Sequence, residues 1–95
     1  MATRIGVLHL ELMIGEAQSL KDKRRILKSF VDRTRSRHNV SVAEVGSQDK
    51  HRRAVLAVAM VSNDGRYLEG GLQQVANAAA MHRGWVVVSS DIELW

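Results

Sequence analysis

The stretch AVLAVAMV at residues 54–61 decides how this chain folds. Eight consecutive apolar residues, rich in Val and Ala, are typical of a central β-strand that is covered on both faces. The polar stretch SNDG at residues 62–65 ends the strand, because Asn, Asp and Gly favour turns. Ser62 or Asn63 is then placed to cap a second helix.

On both sides of this stretch, the spacing of apolar residues predicts the remaining elements. Residues 4–13 alternate, with Leu8, Leu10 and Leu12 on one face, which indicates a strand. The other predicted elements are a helix over Ser19–His38, a strand over Val40–Val45, a helix from the cap at Ser62 or Asn63 to Arg83-Gly84, and a strand over Trp85–Leu94.

Local signals refine the two helices. Ser19 lies three residues before Asp22, close to a capping-box pattern, and Asn39 is predicted to end the first helix in a left-handed conformation. Gly70 and Gly71 lie inside the second helix and cost about 1 kcal/mol each relative to Ala, so its first half is predicted to be weak. The apolar face of the second helix is predicted to comprise Tyr67, Leu68, Leu72, Val75, Ala76, Ala79 and Ala80.

The order strand, helix, strand, strand, helix, strand predicts an α+β, ferredoxin-like βαββαβ fold. Right-handed crossovers place both helices on one face of a four-stranded antiparallel sheet and leave the other face bare. At 95 residues we expect one domain, covering residues 1–95.

Composition excludes several classes of protein. The chain has no Cys, which excludes disulfides, thiolate metal sites and thiol nucleophiles. No apolar run approaches the ~20 residues of a membrane span, and no signal peptide opens the chain. We therefore expect a cytoplasmic protein that does not insert into membranes.

The charge of the chain is concentrated in the first helix. The formal net charge is +4. Between Lys21 and Arg37, however, eight basic and two acidic residues give +6, so the rest of the chain carries −2. Such a surface is the electrostatic footprint expected for RNA, although a solvated helix face that keeps a basic protein in solution has the same pattern. The residues on one side of this helix, and hence the nucleic-acid-binding candidates, are Lys21, Arg24, Arg25, Lys28 and Arg35.

Neighbouring charges qualify this assignment. Asp32 is placed to pair with Lys28 or Arg35, and Lys23 points nearer the apolar side, where its ammonium is expected to reach around to solvent. A second basic group, at residues 50–53, lies in the turn between the second and third strands. It is either a further RNA contact or an ordinary charged hairpin tip.

No catalytic, metal or cofactor site is predicted. The four histidines fall in four different elements without metal-ligand spacing. Glu11 and Glu93 come close only if the first and last strands bring them together, and a solvated pair is the simpler interpretation. We therefore do not expect an enzyme.

The face of the sheet opposite the helices is predicted to be apolar at its centre. The third strand presents Val55, Ala57, Ala59 and Val61 there, alongside Ile5 and Val7 of the first strand. Patches of this kind mark interfaces, which predicts a homo-oligomer through the sheet. The alternative is a monomer with small, scattered apolar exposure.

Four blocks of the sequence resemble the YlxP-like family of small bacterial proteins of unknown function. They are SLKDKRRILKS at residues 19–29, NVSVAEV at 39–45, QD at 48–49 and VSND at 61–64. The resemblance implies a ferredoxin-like fold in the bacterial cytoplasm and no established activity. Genes of this family often lie among those for translation initiation and ribosome maturation, which suggests a ribosome-linked role. Members commonly carry a Trp after Gln-Asp, where this chain has Lys50-His51, so a partner or dimer anchored by that Trp would be lost or replaced here.

The favoured hypothesis is an RNA- or ribosome-associated module that binds phosphates through the basic helix. The alternative is a dimeric regulatory or interaction module that binds a small molecule or a protein through its sheet.

Overall fold

The computed structural model describes residues 2–95 and confirms the ferredoxin-like fold. One antiparallel sheet has the strand order β2-β3-β1-β4, and the helices α1 and α2 pack on one face of it. The elements are β1 (Arg4–Met13), α1 (Leu20–Arg37), β2 (Val40–Gly46), β3 (Arg53–Ser62), α2 (Gly65–Ala80) and β4 (Val86–Leu94).

The central strand β1 anchors the core. Leu8, Leu10 and Leu12 are completely buried against the helices, as their alternation predicts. The strand is hydrogen-bonded to β3 on one side and to β4 on the other. The edges of the sheet are therefore β2 and β4.

The prediction that β3 is covered on both faces is wrong. Its even-numbered residues, including Leu56 and Val58, are buried, whereas Val61 on the other face is 59% exposed. The helices cover only one face, so the apolar residues of the second face remain uncovered.

α1 begins much as its sequence predicts and ends differently. The Ser19 hydroxyl accepts a hydrogen bond from the Asp22 amide at 3.0 Å, and the Asp22 carboxylate accepts one from the amide of Gln18 at 3.1 Å. The helix ends at Arg37, with His38 as an extended C-cap residue. A left-handed Asn39 is not found: within residues 2–95, Ser47 is the one non-glycine residue with positive φ. Because His38 turns directly into the extended conformation, no left-handed residue is needed before β2.

α2 differs from its prediction in its cap and its exposed face. Asp64, and not Ser62 or Asn63, is the N-cap, since its carboxylate accepts a hydrogen bond from the Arg66 amide at 2.9 Å. Ser62 instead accepts from the Asp64 amide at 3.2 Å. Tyr67 is 62% exposed and does not join the core.

The glycine pair in α2 has a packing reason at one of its two positions. A Cβ atom at Gly71 would lie 2.8 Å from the Met60 methyl carbon, whereas one at Gly70 would meet open space. The helix is continuous through both residues, because its apolar face is held against the sheet.

An aromatic cluster closes the core where α2 leads into β4. Trp85 is buried and its indole N–H donates to the carbonyl of Ala79 at 2.9 Å. The His82 ring stacks on Trp85 with 3.9 Å between centroids, and Phe30 of α1 meets Trp85 edge-on at 5.1 Å. This contact ties α1 to the end of α2.

Candidate nucleic-acid interface

All five side chains that the sequence predicts to bind nucleic acid are exposed along α1. Three of them, Arg24, Lys28 and Arg35, line an open groove of about 310 Å³ between α1 and the edge strand β2. Lys21 and Arg25 lie outside this groove on the same helix. The structure thus brings three of the five predicted residues together in one concave surface.

The two acidic residues of α1 engage this surface only weakly. Lys28 pairs with Asp32 at 2.6 Å and Arg25 with Asp22 at 3.3 Å, and all four side chains are solvent-accessible. Exposed ion pairs of this kind contribute about 0–1 kcal/mol, so a phosphate can replace either carboxylate at little cost.

Three of the five candidates differ in whether their charged groups already have ion-pair or hydrogen-bond partners. Lys21 and Arg24 form no ion pair or side-chain hydrogen bond within residues 2–95. Arg35 donates one guanidinium hydrogen bond to the carbonyl of Val42 at 2.8 Å. This bond orients Arg35 over β2. Because a guanidinium has five N–H donors, several of them remain available for a ligand.

Lys23 does not reach around to solvent as the sequence suggests. Its side chain is 1% exposed and its ammonium lies 2.7 Å from a carboxylate oxygen of Glu44. The three N–H donors of the ammonium are shared between Glu44 and backbone carbonyls of the β2–β3 connection. These carbonyls belong to Lys50 at 2.6 Å, Ser47 at 3.0 Å, Arg53 at 3.1 Å and, at the limit of hydrogen bonding, Gln48 at 3.5 Å.

This arrangement fixes the basic hairpin tip, residues 50–53, to the beginning of α1. Arg52 adds a hydrogen bond from its Nε to the carbonyl of Ala17 at 3.4 Å, just before α1. Arg53 pairs with Glu11 at 3.4 Å. The tip is therefore held at the same end of the molecule as the first turn of α1.

The sequence did carry a signal for this buried pair. Lys23 falls on the apolar side of α1, and Glu44 follows Val40 and Val42 at the inward-facing positions of β2. Two opposite charges at core-facing positions of neighbouring elements indicate an internal ion pair.

Two further arginines of α1 face away from β2. Arg33 and Arg37 lie on the flank toward α2, where they line a groove of about 290 Å³ together with His38 and Gln74. Burial, and then the nearby positive charge of Arg33, lower the pKa of His82 below its usual value of 6.5. The basic side chains of α1 are thus divided between two flanks.

The uncovered face of the sheet is only partly apolar. On this face, the central residues of β2 and β3 have small or aliphatic side chains. Ala57 of β3, for example, pairs with Ala43 of β2 on one side and with His9 of β1 on the other. β4 is different, because Asp91 lies beside His9 and Glu93 beside Val7. The face is therefore apolar along β2 and β3 and acidic only along the second half of β4.

Glu11 and Glu93 do not form a carboxylate pair. Glu93 lies opposite Val7, four residues along β1 from Glu11, and at about 3.4 Å per residue the two positions are more than 10 Å apart. Glu11 instead accepts hydrogen bonds from Arg53 at 3.4 Å and Ser89 at 3.3 Å.

The described chain contains no group of three or more His, Asp or Glu side chains placed to hold a metal ion. No helix in this part of the chain is long and apolar enough to cross a membrane.

The fold and the charged surfaces define a small ferredoxin-like domain with a basic helix and a half-apolar open sheet. The family model described as "Protein of unknown function (DUF503)" matches residues 5–92, and the chain belongs to this family. It is 39% identical over 71 residues to the "Uncharacterized protein YlxP" of Bacillus subtilis (strain 168), covering 75% of this chain and 77% of that protein. The predicted resemblance to the YlxP-like family is therefore confirmed.

Among solved structures, the chain is similar to the "De novo designed protein Foldit4". The TM-score is 0.52 at 13% identity, over 98% of this chain and 93% of that one. At this identity the likeness concerns the fold alone.

Proposed function

We propose that this protein is an RNA- or ribosome-associated module that binds phosphates through the β2-facing flank of α1. The observation that carries the proposal is the groove in which Arg24, Lys28 and Arg35 converge, with Lys21 and Arg25 beside it. Phosphate contacts by Lys and Arg supply most of the sequence-independent affinity for nucleic acid.

The positions of the acidic residues favour one side of the molecule for RNA binding. Asp91 and Glu93 lie on the uncovered face of the sheet, opposite His9 and Val7 of β1. Because these carboxylates repel a phosphate backbone, RNA approaches from the helical side. Among residues 2–95, no exposed aromatic side chain lies between the basic residues of this α1 surface, so contacts to phosphates and to RNA shape outweigh base stacking.

The test uses charge reversal where no existing contact is broken. Lys21 and Arg24 have no partner within residues 2–95, so K21E/R24E removes two phosphate contacts without disturbing an ion pair. We expect this variant to lose co-sedimentation with ribosomes. Its plot of log affinity against log salt should be shallower by about 1.5, since each contact contributes about 0.7 on a single strand and 0.9 on a duplex.

The matched control carries the same change of charge elsewhere. Arg66 and Arg83 are exposed outside α1, and R66E/R83E should retain ribosome binding. If both double variants lose binding equally, only the net charge matters. If K21E/R24E sediments like the parent, α1 is not the RNA surface. Either result contradicts the proposal.

A second candidate function is a dimeric interaction module that uses the uncovered face of the sheet. The observation that favours it is the number of large apolar side chains exposed on the strands. These residues are Ile5, Met13, Val45, Val61, Val86 and Val88.

Size-exclusion chromatography with light scattering tests this second candidate, because it measures whether the protein is a dimer or a monomer. Ala57 lies in the middle of the face, so A57E should dissociate a dimer formed through it. Q73E, on the exposed side of α2, adds the same charge away from the sheet and should leave a dimer intact. A monomeric parent contradicts this candidate without affecting the RNA proposal.

A further inference from the structure

The second groove of the molecule lies between α1 and α2, on the flank of α1 opposite the RNA-binding candidate. It has a volume of about 290 Å³. This is near the lower limit for small-molecule pockets, so the groove suits a small ligand. The residues that line it are Phe30, Arg33, Thr34, Arg37, His38, Gln74, Val75 and Ala78.

The rim of this groove is cationic and unneutralised. Arg33 and Arg37 are four residues apart on α1, which places their Cβ atoms about 6 Å from each other on one helix face. Within residues 2–95 neither guanidinium forms an ion pair or a side-chain hydrogen bond. α2 contributes no carboxylate to this groove, since its lining residues there are Gln74, Val75 and Ala78.

The helix end does not cancel this charge. The carbonyl end of α1 carries about half a negative charge, which two guanidinium groups exceed. Burial lowers the pKa of His82, and the positive charge of Arg33 lowers it further. An anion entering the groove therefore meets a net positive field.

The floor of the groove is apolar. Phe30 and Val75 belong to the core and show only an edge to the groove, and Ala78 is the exposed apolar residue beside them. His38 and Gln74 add polar groups at the rim, and neither side chain has a hydrogen-bond partner within residues 2–95. Two guanidinium groups beside an apolar surface are suited to a ligand in which an oxyanion is attached to an apolar group.

We propose that the groove between α1 and α2 binds a small organic oxyanion, a phosphate or carboxylate carried on an apolar or aromatic group. The guanidinium groups of Arg33 and Arg37 hold the oxyanion, and its apolar part lies against Ala78 and the edge of the core at Phe30 and Val75. This site is separate from the β2-facing flank of α1, so either site can be removed without the other.

The test follows backbone amide chemical shifts in ¹⁵N-labelled protein during titration with four probes. Phenyl phosphate and benzoate combine an anion with an aromatic body, inorganic phosphate lacks the body, and benzyl alcohol lacks the charge. We expect saturable shifts confined to residues 30–38 and 74–78 with phenyl phosphate, benzoate or both, and weaker binding of the other two probes. Whichever of the first two binds more tightly identifies the oxyanion as phosphate or carboxylate.

Two matched variants locate the binding. R33Q/R37Q should weaken it by at least about tenfold, since a hydrogen bond to a charged group contributes about 1.5–3 kcal/mol. K21Q/R24Q removes the same charge from the opposite flank and should leave the affinity within about twofold, since salt screens charges that lie beyond about 10 Å. The amide spectra of both variants show directly that they are folded.

Three results would overturn the proposal. One is the absence of saturable shifts in the groove with phenyl phosphate and benzoate alike. Another is equal binding of benzyl alcohol, which would show that the anion is irrelevant. The third is an equal effect of the two double variants, which would show that only the overall positive charge attracts the probes.

Discussion

Replacing Lys23 by Met tests whether the buried ammonium holds the β2–β3 hairpin to α1. Methionine keeps the length of the apolar stem and removes the ammonium, leaving the Glu44 carboxylate and the carbonyls of Ser47, Lys50 and Arg53 without this donor. Removing one partner of a buried ion pair costs about 3–5 kcal/mol, and the 21% exposure of Glu44 places this pair at the lower end of that range. A domain of this size has a free energy of unfolding of about 5–15 kcal/mol, so the loss is a large share of it.

Urea unfolding followed by far-UV circular dichroism measures this loss. With an m-value of about 1–3 kcal/mol per molar urea, the midpoint of K23M should fall by about 2 M. The control K21M changes an exposed lysine on the same helix and should stay within about 0.5 kcal/mol of the parent. Hydrogen exchange should also accelerate at the Lys50 amide, which donates to the carbonyl of Ser47 across the hairpin.

A double variant separates the charge from the packing. K23M/E44M removes the stranded carboxylate as well, and should recover about 1 kcal/mol or more relative to K23M, because an unpaired buried charge costs more than an apolar pair. If K23M unfolds within about 1 kcal/mol of the parent, as K21M does, then the contacts of Lys23 do not hold the hairpin and the reasoning fails.

Three further predictions concern stability. G70A should raise the free energy of unfolding by about 1 kcal/mol, because a methyl group there meets open space. G71A should be stabilised less, since its methyl group must displace the side chain of Met60. The urea midpoints of the two variants measure this difference. The pKa of His82 is lowered in the folded state, so below pH 6.5 the imidazole binds a proton more readily in the unfolded chain. The free energy of unfolding should therefore fall as the pH drops from 6.5 through the folded pKa. H82Q should show a weaker dependence over that range, and an NMR titration of the His82 ring with a normal pKa would contradict the reasoning. W85F removes the indole hydrogen bond at the end of α2 and should cost about 1 kcal/mol or more in thermal unfolding, while an unchanged melting temperature would refute this role.

Most of the fold was predictable because the alternation of Leu8, Leu10 and Leu12 and the helical spacing in α1 are one-dimensional signals of burial. The cap of α2 was misplaced because Ser62, Asn63 and Asp64 are all good capping residues, and the end of β3 decides which of them turns first. Sequence spacing alone does not contain that information.

The candidate site was only partly predictable for a similar reason. Helical periodicity correctly separates the outer side of α1 from its buried side, and so it finds the exposed basic residues. It does not show that Arg24 and Arg35 border β2 while Arg33 and Arg37 border α2, because that depends on which neighbours lie on each flank. It places Lys23 near the apolar side of α1 but sends its ammonium to solvent, since the carbonyls that bind the ammonium come from residues 47–53 of another part of the chain.

The division of charge on α1 limits how strongly the proposed RNA surface can bind. Of the eight basic residues, Lys23 is neutralised by Glu44, and Arg33 and Arg37 lie on the other flank. Five basic and two acidic residues remain, a net +3 in place of the +6 of the whole segment. Three to five phosphate contacts give a salt slope of only about −2 to −4 on a single strand, which corresponds to weak binding that fades as salt rises. A surface of this strength favours a target with a high local density of phosphates, such as a folded ribosomal RNA, over an isolated strand in solution. Affinity for ribosomes should therefore exceed affinity for a short unstructured RNA measured at the same salt concentration, and equal affinities would contradict the proposed target.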